Sequence, residues 1–177
     1  MLQKIKINTK DLKNEIPNLS AGDEVLLSGV VYTARDAAHA RLLELMEKGE
    51  PLPFELSGAV VYYAGPTEAP KGRAIGSCGP TTSSRMDSFS PFLLDKGLCG
   101  MIGKGNRNSA VVESIVKNGA IYFCAIGGAG ALASKSITEC EVIAFSDLGC
   151  ESIKRLEFKD FPLIVGIDCK GNSVFAK

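Results

Sequence analysis

The sequence predicts an α/β domain built on a mixed sheet. Three observations carry that expectation. Short apolar strand-like runs, such as Ala59-Val60-Val61-Tyr62-Tyr63-Ala64 and Ala120 to Ile126, alternate with helical patterns in the middle of the chain. Strand-like segments cluster at both ends, so a purely parallel doubly wound sheet is not expected. The chain has 177 residues, 45% apolar and 23% charged, which is ordinary for one domain with a core that needs no disulfides or metals.

The elements follow in order. Ile5 to Asn8 reads as a strand, followed by a helical turn from Thr9 to Ile16 that Pro17 ends. Residues 1–20 would form a short arm before the body of a single domain spanning 1–177. Glu24 to Tyr32 is a strand. A helix from Ala34 to Lys48 has Thr33 as its expected cap, with Asp36 completing a capping-box pattern and Gly49 as its stop. Ala59 to Ala64 is a buried strand, and Ala74 to Ser77 a short one. A helix is expected from about Thr82, breaking near Pro91, with Ser90 capping a second helix. Gly100 to Gly103 is a strand. Ser109 to Lys117 is a helix carrying Val112, Ile115 and Val116, ended by Asn118-Gly119. After the strand to Ile126, Gly127-Gly128-Ala129-Gly130 leads into a short helical piece. Three strands follow, Cys140 to Phe145, Ile153 to Phe158 and Leu163 to Asp168. A hairpin turn at Lys170-Gly171-Asn172 closes the chain.

Charge and composition exclude several classes. Twenty basic residues balance twenty acidic ones, so no nucleic-acid partner is expected. No apolar run approaches the roughly 18 residues of a membrane span, and the N-terminus lacks the apolar core of a signal peptide, so the expected location is the cytoplasm. Six cysteines, at 78, 99, 124, 140, 150 and 169, include no Cys-x-x-Cys pair. They read as free thiols in a reducing compartment, not as a ligand set within this chain. His39 is the only histidine.

Four loops next to strand ends hold the residues suited to chemistry. Arg35 stands where a strand gives way to a helix, a position that favours anions, and its guanidinium can grip a carboxylate with two donors. The alternative is a surface arginine paired with Asp36 or Glu55. Gly79-Pro80-Thr81-Thr82-Ser83-Ser84-Arg85 places four hydroxyls and an arginine in one turn, more than capping requires. Gly103-Lys104-Gly105-Asn106-Arg107-Asn108 lets backbone approach a ligand closely and adds a point charge, or is simply a polar turn. Gly128-Ala129-Gly130-Ala131-Leu132-Ala133 fits a dinucleotide-binding pattern but comes late in a short chain, and reads better as a tight turn packing a helix. Arg35, Arg85 and Lys104 together suit a small dicarboxylate. No carboxylate pair, Ser-His-Asp set or Cys-His pair accompanies them, so the chain is equipped to bind an acid more than to transform it alone.

Tyr32-Thr33-Ala34-Arg35-Asp36-Ala37-Ala38-His39, Gly79 to Asp87 and Gly103-Lys104-Gly105-Asn106-Arg107 occur in the order seen in the class I fumarase and tartrate dehydratase family of iron–sulfur hydro-lyases. Together with Leu52-Pro53-Phe54-Glu55-Leu56 and Asp160-Phe161-Pro162, they make nearly the whole chain resemble the C-terminal domain, or separate β subunit, of those enzymes. The resemblance implies a swivelling β/β/α domain. It implies reversible hydration of fumarate to L-malate, shared with a cluster-bearing α subunit in an α2β2 assembly. The 4Fe–4S cluster would be held by that partner and not by this chain. By matching motifs, Arg35, Arg85 and Lys104 would bind substrate carboxylates with Thr82 beside them, and Thr81 would transfer a proton. His39 receives no role. Asn106-Arg107 leans towards the fumarase branch. The alternatives are the β subunit of L(+)-tartrate dehydratase, a dicarboxylate-binding module without catalysis, and a self-sufficient enzyme with a cysteine nucleophile.

Overall fold

A computed structural model describes residues 3–125 and 130–176. Seven strands form one mixed sheet in the order β1-β2-β3-β4-β5-β7-β6, with an added pairing of β2 to β7. The strands are β1 (Ile5–Asn8), β2 (Glu24–Thr33), β3 (Val60–Tyr62), β4 (Gly100–Gly103), β5 (Ile121–Cys124), β6 (Ile137–Ala144) and β7 (Ile153–Ile167). The long strand β2 takes β1 and then β3, both parallel, along one edge and β7 antiparallel along the other. Because β7 also pairs with β5, hydrogen bonding runs from β2 through β3, β4, β5 and β7 back to β2. Closure of this kind removes edges from the inner strands.

Side-chain alternation along each strand divides the core in two. On β3 and the residue after it, Val60 and Tyr62 point to one cluster, with Val25, Leu27, Val31, Ile102, Phe123, Phe158 and Phe161. Val61 and Tyr63 point to the other, with Met101, Tyr122, Leu42, Leu94, Val111 and Ile115. The first lies within the ring of strands. The second lies under the connecting helices α2 (Asp36–Glu47), α3 (Ser90–Asp95) and α4 (Ser109–Asn118). The turn α1 (Leu12–Glu15) leads the chain from β1 into β2, and Leu12, Ile16 and Leu19 of this first stretch are buried in the inner cluster. A short helix after β5, α5 (Gly130–Ala133), follows the glycine-rich loop, whose residues 126–129 lie outside the described residues.

The mixed α/β sheet agrees with the expectation, and several local expectations are corrected. Thr33 does not cap α2. It ends β2, is fully buried, and its Oγ1 accepts from Lys154 N at 3.1 Å, leaving Arg35 as the N-cap without a side-chain cap bond. Ala74 to Ser77 is not a strand. Thr67 and Ser77 bond each other instead, Thr67 N donating to Ser77 O at 3.0 Å and Ser77 N to Thr67 Oγ1 at 2.8 Å. The helix expected from Thr82 is a single 3-10 turn over Ser83–Met86. Ser90 lies inside α3 and donates to Met86 O at 2.9 Å. On α4 the buried apolar residues are Val111 and Ile115, whereas Val116 is 46% exposed. The two strands expected between 153 and 168 are one bent strand, β7, in which Asp160 adopts φ 49°. Asn108 and Gly119 bracket α4 as capping chemistry dictates. Asn108 Oδ1 accepts from Val111 N at 2.9 Å, and Gly119 takes φ 61°.

Candidate active site

Because β1 to β5 are parallel, their carboxyl ends share one rim. In α/β sheets with parallel strands, open or closed, ligands favour that rim. Three of the four sequence-selected loops leave it. Arg35 follows β2, Lys104 follows β4, and the Thr81–Arg85 turn is held between β3 and β4. Thr81 N donates to Tyr63 O at 2.7 Å, Ser83 N donates to Lys104 O at 2.9 Å, and Thr82 and Lys104 form an isolated parallel bridge. Gly103 has to be glycine here, since a Cβ would collide with Ser83 Oγ and meet Tyr63 Cδ2 at 2.8 Å. The short residue lets the hydroxyl turn lie directly on the β4 loop.

The backbone of the Thr81–Arg85 turn is bonded to that of Lys104, and Arg85 reaches Asp36, the residue after Arg35. Asp36, next to Arg35, accepts two bonds from Arg85, from Nε at 3.1 Å and from Nη2 at 2.7 Å. The sequence offers Asp36 as a partner for Arg35; it serves Arg85 instead. A guanidinium has two donor edges. Asp36 occupies the Nε/Nη2 edge, and Nη1 makes no hydrogen bond among the described residues. Arg85 is therefore aimed and still able to grip a second carboxylate with its outer edge. Lys104 is exposed and makes no ion pair among the described residues. Thr81 is half-buried and Thr82 exposed. Arg35 lies over Gly65, where a Cβ would meet its Nη1 at 2.9 Å, and its Nε stands 3.9 Å from Glu151 Oε1. Both of those atoms are buried without a hydrogen-bond partner.

His39 sits one turn into α2. Its Nδ1–H donates to Arg35 O at 2.8 Å, and its ring packs edge-on against Tyr63 with centroids 5.5 Å apart. Burial, helped by the nearby Arg107 charge, pulls its pKa down to about 4, so the ring is neutral near pH 7 and fixes the Arg35 backbone without adding charge.

Sequence reasoning missed the side chains that hold these loops. Arg107 is 5% exposed. Its Nε donates to Asp87 Oδ1 at 2.6 Å and its Nη2 to Ser90 Oγ at 2.7 Å and Tyr63 Oη at 3.2 Å. It lies over the rings of Tyr63 and Tyr122, 5.2 and 4.9 Å from their centroids. The Tyr122 hydroxyl, whose pKa burial pushes up, stays protonated and bonds Ser83 Oγ at 2.8 Å and Gly105 O at 2.7 Å. Tyr62 Oη donates to Cys78 O at 2.6 Å, fixing the entry to the Gly79-Pro80 turn. The available signal was a tyrosine in each of two otherwise apolar strands, because a buried phenol needs a partner.

No three Cys, His, Asp or Glu side chains converge as ligands among the described residues. Burial pushes the Cys78 thiol up to about 12 and Cys99 up to about 11, so both are protonated near pH 7. No helix among the described residues is long and apolar enough to cross a membrane.

Known proteins share this sequence pattern. A family model described as fumarase C-terminus matches residues 1–177. "Fumarate hydratase 2" of Leishmania major is 39% identical over 168 residues, covering 94% of this chain and 30% of that protein. "Fumarate hydratase class I, anaerobic" of Escherichia coli K12 is 39% identical over 94% of this chain and 31% of its own length. The chain thus spans about a third of the length of these fumarate hydratases. "L(+)-tartrate dehydratase subunit beta" of E. coli K12 is 35% identical over 97% of this chain and 87% of its own length.

Proposed function

Since the chain belongs to the fumarase C-terminus family, we propose that it is the diacid-binding half of an iron–sulfur hydro-lyase that reversibly hydrates fumarate to L-malate. It acts with a cluster-bearing α subunit in an α2β2 cytoplasmic assembly, and residues 1–177 serve as one such domain. The observation that supports this reading most is the rim where Arg85, aimed by Asp36, keeps one donor edge open beside Thr81, Thr82 and Lys104. In this reading the 4Fe–4S cluster is held by the α partner.

In the dehydration direction, a carbon next to a carboxylate gives up a proton and charge builds up on that carboxylate. That electron pair then forms the C=C bond as the C–O bond of the neighbouring carbon breaks, and its hydroxyl leaves as water after taking up a proton. Arg85, Arg35 and Lys104 bind the diacid and stabilise the charge as it develops. Thr81 carries the proton. A threonine hydroxyl does this near neutrality only where cations hold the alkoxide or a neighbour takes the proton on. We assign the first role to Arg85, on the Thr81 turn, and to Lys104, whose loop is joined to that turn by the Ser83 N to Lys104 O bond. A second reading, the β subunit of L(+)-tartrate dehydratase, draws support from alignment over 87% of that relative's length.

The test is anaerobic assembly with a cluster-bearing α-type partner, followed by assays on fumarate, malate and tartrate. The complex should hydrate fumarate, and the chain alone should be folded, colourless and inactive. Turnover by the chain alone would contradict the reading, and tartrate turnover without fumarate turnover would transfer it to the second. Within the active complex, Thr81→Val should lower kcat by about 100-fold with substrate binding largely kept. Thr82→Val should be much milder. The reverse order would exchange their roles.

A further inference from the structure

The two loops that carry the hydroxyl turn and Lys104 meet over one buried ion pair. Arg107 and Asp87 have side chains 0% and 9% exposed, with Nε 2.6 Å from Oδ1. Asp87 ends the turn that starts at Thr81, and Arg107 ends the loop that starts at Lys104. Each partner also holds a second element. Asp87 Oδ2 accepts from Asn108 N at 2.9 Å, next to the N-cap bond of α4. Arg107 Nη2 reaches Ser90 on α3 and Tyr63 after β3. A buried charge with this many partners is expensive to remove from water, and a lysine could not reproduce its planar fork. General stability does not require charge at this place, since apolar residues of similar volume commonly serve as well.

We propose that Arg107 and Asp87 are positioning residues whose ion pair sets the separation between Thr81 and Lys104. The proposal deepens the hydro-lyase reading and rests on it for the catalytic consequence only. Neither residue touches the substrate. Arg107 acts through the backbone of Lys104 to Asn106, Asp87 through the 3-10 turn, and the Ser83 N to Lys104 O bond joins the two. A displacement of about 1 Å between reacting groups can cost about 100-fold in rate.

The test uses the charge-neutral double variant Arg107→Met/Asp87→Asn, because Arg107→Met alone strands a buried carboxylate and risks misfolding. The introduced carboxamide is near in shape to the carboxylate, but its oxygen is an uncharged, weaker acceptor for Asn108 N and no guanidinium holds it in place. Two readouts are taken. In the full chain, hydrogen exchange at the Ser83 and Asn108 amides should speed up by at least about 10-fold, while Ile102 and Phe123 on β4 and β5 change by less than about 2-fold. In the assembled complex, kcat should fall by about 100-fold, with KM changed by less than about 3-fold and melting temperature close to wild type. Arg107→Lys, which keeps the charge without the fork, should not rescue kcat. Unchanged exchange at Ser83 and Asn108, or wild-type kcat in the double variant, would overturn the proposal. A wild-type complex inactive on every diacid would overturn the hydro-lyase reading, and the exchange data would still decide whether the pair fixes the loops.

Discussion

Two arginine–aspartate pairs of opposite character, Arg107–Asp87 and Arg85–Asp36, flank the same turn. Arg107–Asp87 is sealed, with side chains 0% and 9% exposed, and Arg85–Asp36 is open, at 49% and 35%. The sealed guanidinium has Asp87, Ser90, Tyr63, Met101 and two aromatic faces around it, so each of its nitrogens is committed to the fold. The open one gives a single edge to Asp36 and keeps the other. Identical chemistry thus does two jobs, and solvent access decides which. A buried pair is hard to exchange because a partner left behind is a charge with neither water nor counter-charge. A half-exposed pair contributes little to stability and can add a ligand.

The largest effect expected is from breaking the sealed pair on one side. Arg107→Met leaves Asp87 buried and unpaired and should cost about 3–5 kcal/mol of stability. For a chain of this size that is a fall of roughly 10 °C in melting temperature, read by calorimetry. A change under about 2 °C would mean that water reaches Asp87 and that the contrast between the pairs is false.

Acid should weaken the same interior. His39 is held neutral with its pKa pulled down to about 4 by burial, against about 6.5 in the unfolded chain. As pH falls, the unfolded state takes up the proton first. The stabilisation is therefore complete above about pH 6.5 and is lost progressively between about 6.5 and 4, by about 3 kcal/mol in all. Urea unfolding at about pH 7 and about pH 4.5 measures it, with His39→Gln as the control that should flatten this part of the profile.

The smallest effect belongs to the open pair. Asp36→Asn should change stability by less than about 1 kcal/mol. It should still lower kcat/KM several-fold, because Arg85 loses the carboxylate that aims it. Stability loss without any kinetic loss would reverse the roles assigned to the two pairs.

What the sequence discloses follows the same division. Elements set by local pattern were legible: β1 falls on Ile5–Asn8, β4 on Gly100–Gly103, and α4 starts after an asparagine cap and stops at a left-handed glycine. The places of Arg35, Arg85 and Lys104 were legible too, because each stands in a turn-rich loop next to a strand end. Arg107 was not. Gly103 to Asn108 reads as a polar turn, and its arginine is buried by residues far along the chain, Asp87, Tyr63 and Tyr122. Thr33 misled for a related reason. Its spacing to Asp36 fits a cap, yet its hydroxyl is taken by Lys154 on β7, 121 residues away. Ala74 to Ser77 has the apolar character of a strand but finds its partner in the Thr67 side chain, with no strand beside it.

The most direct measurement of the central claim is fumarate hydration by the complete complex carrying Arg85→Lys. Lysine keeps the charge and loses the second donor edge. If Arg85 holds a substrate carboxylate through that edge, kcat/KM should fall by about 30- to 150-fold, equivalent to roughly 2–3 kcal/mol, with the melting temperature within about 1 °C of wild type. Wild-type kinetics in that complex would contradict the account and leave Arg85 as a surface partner of Asp36.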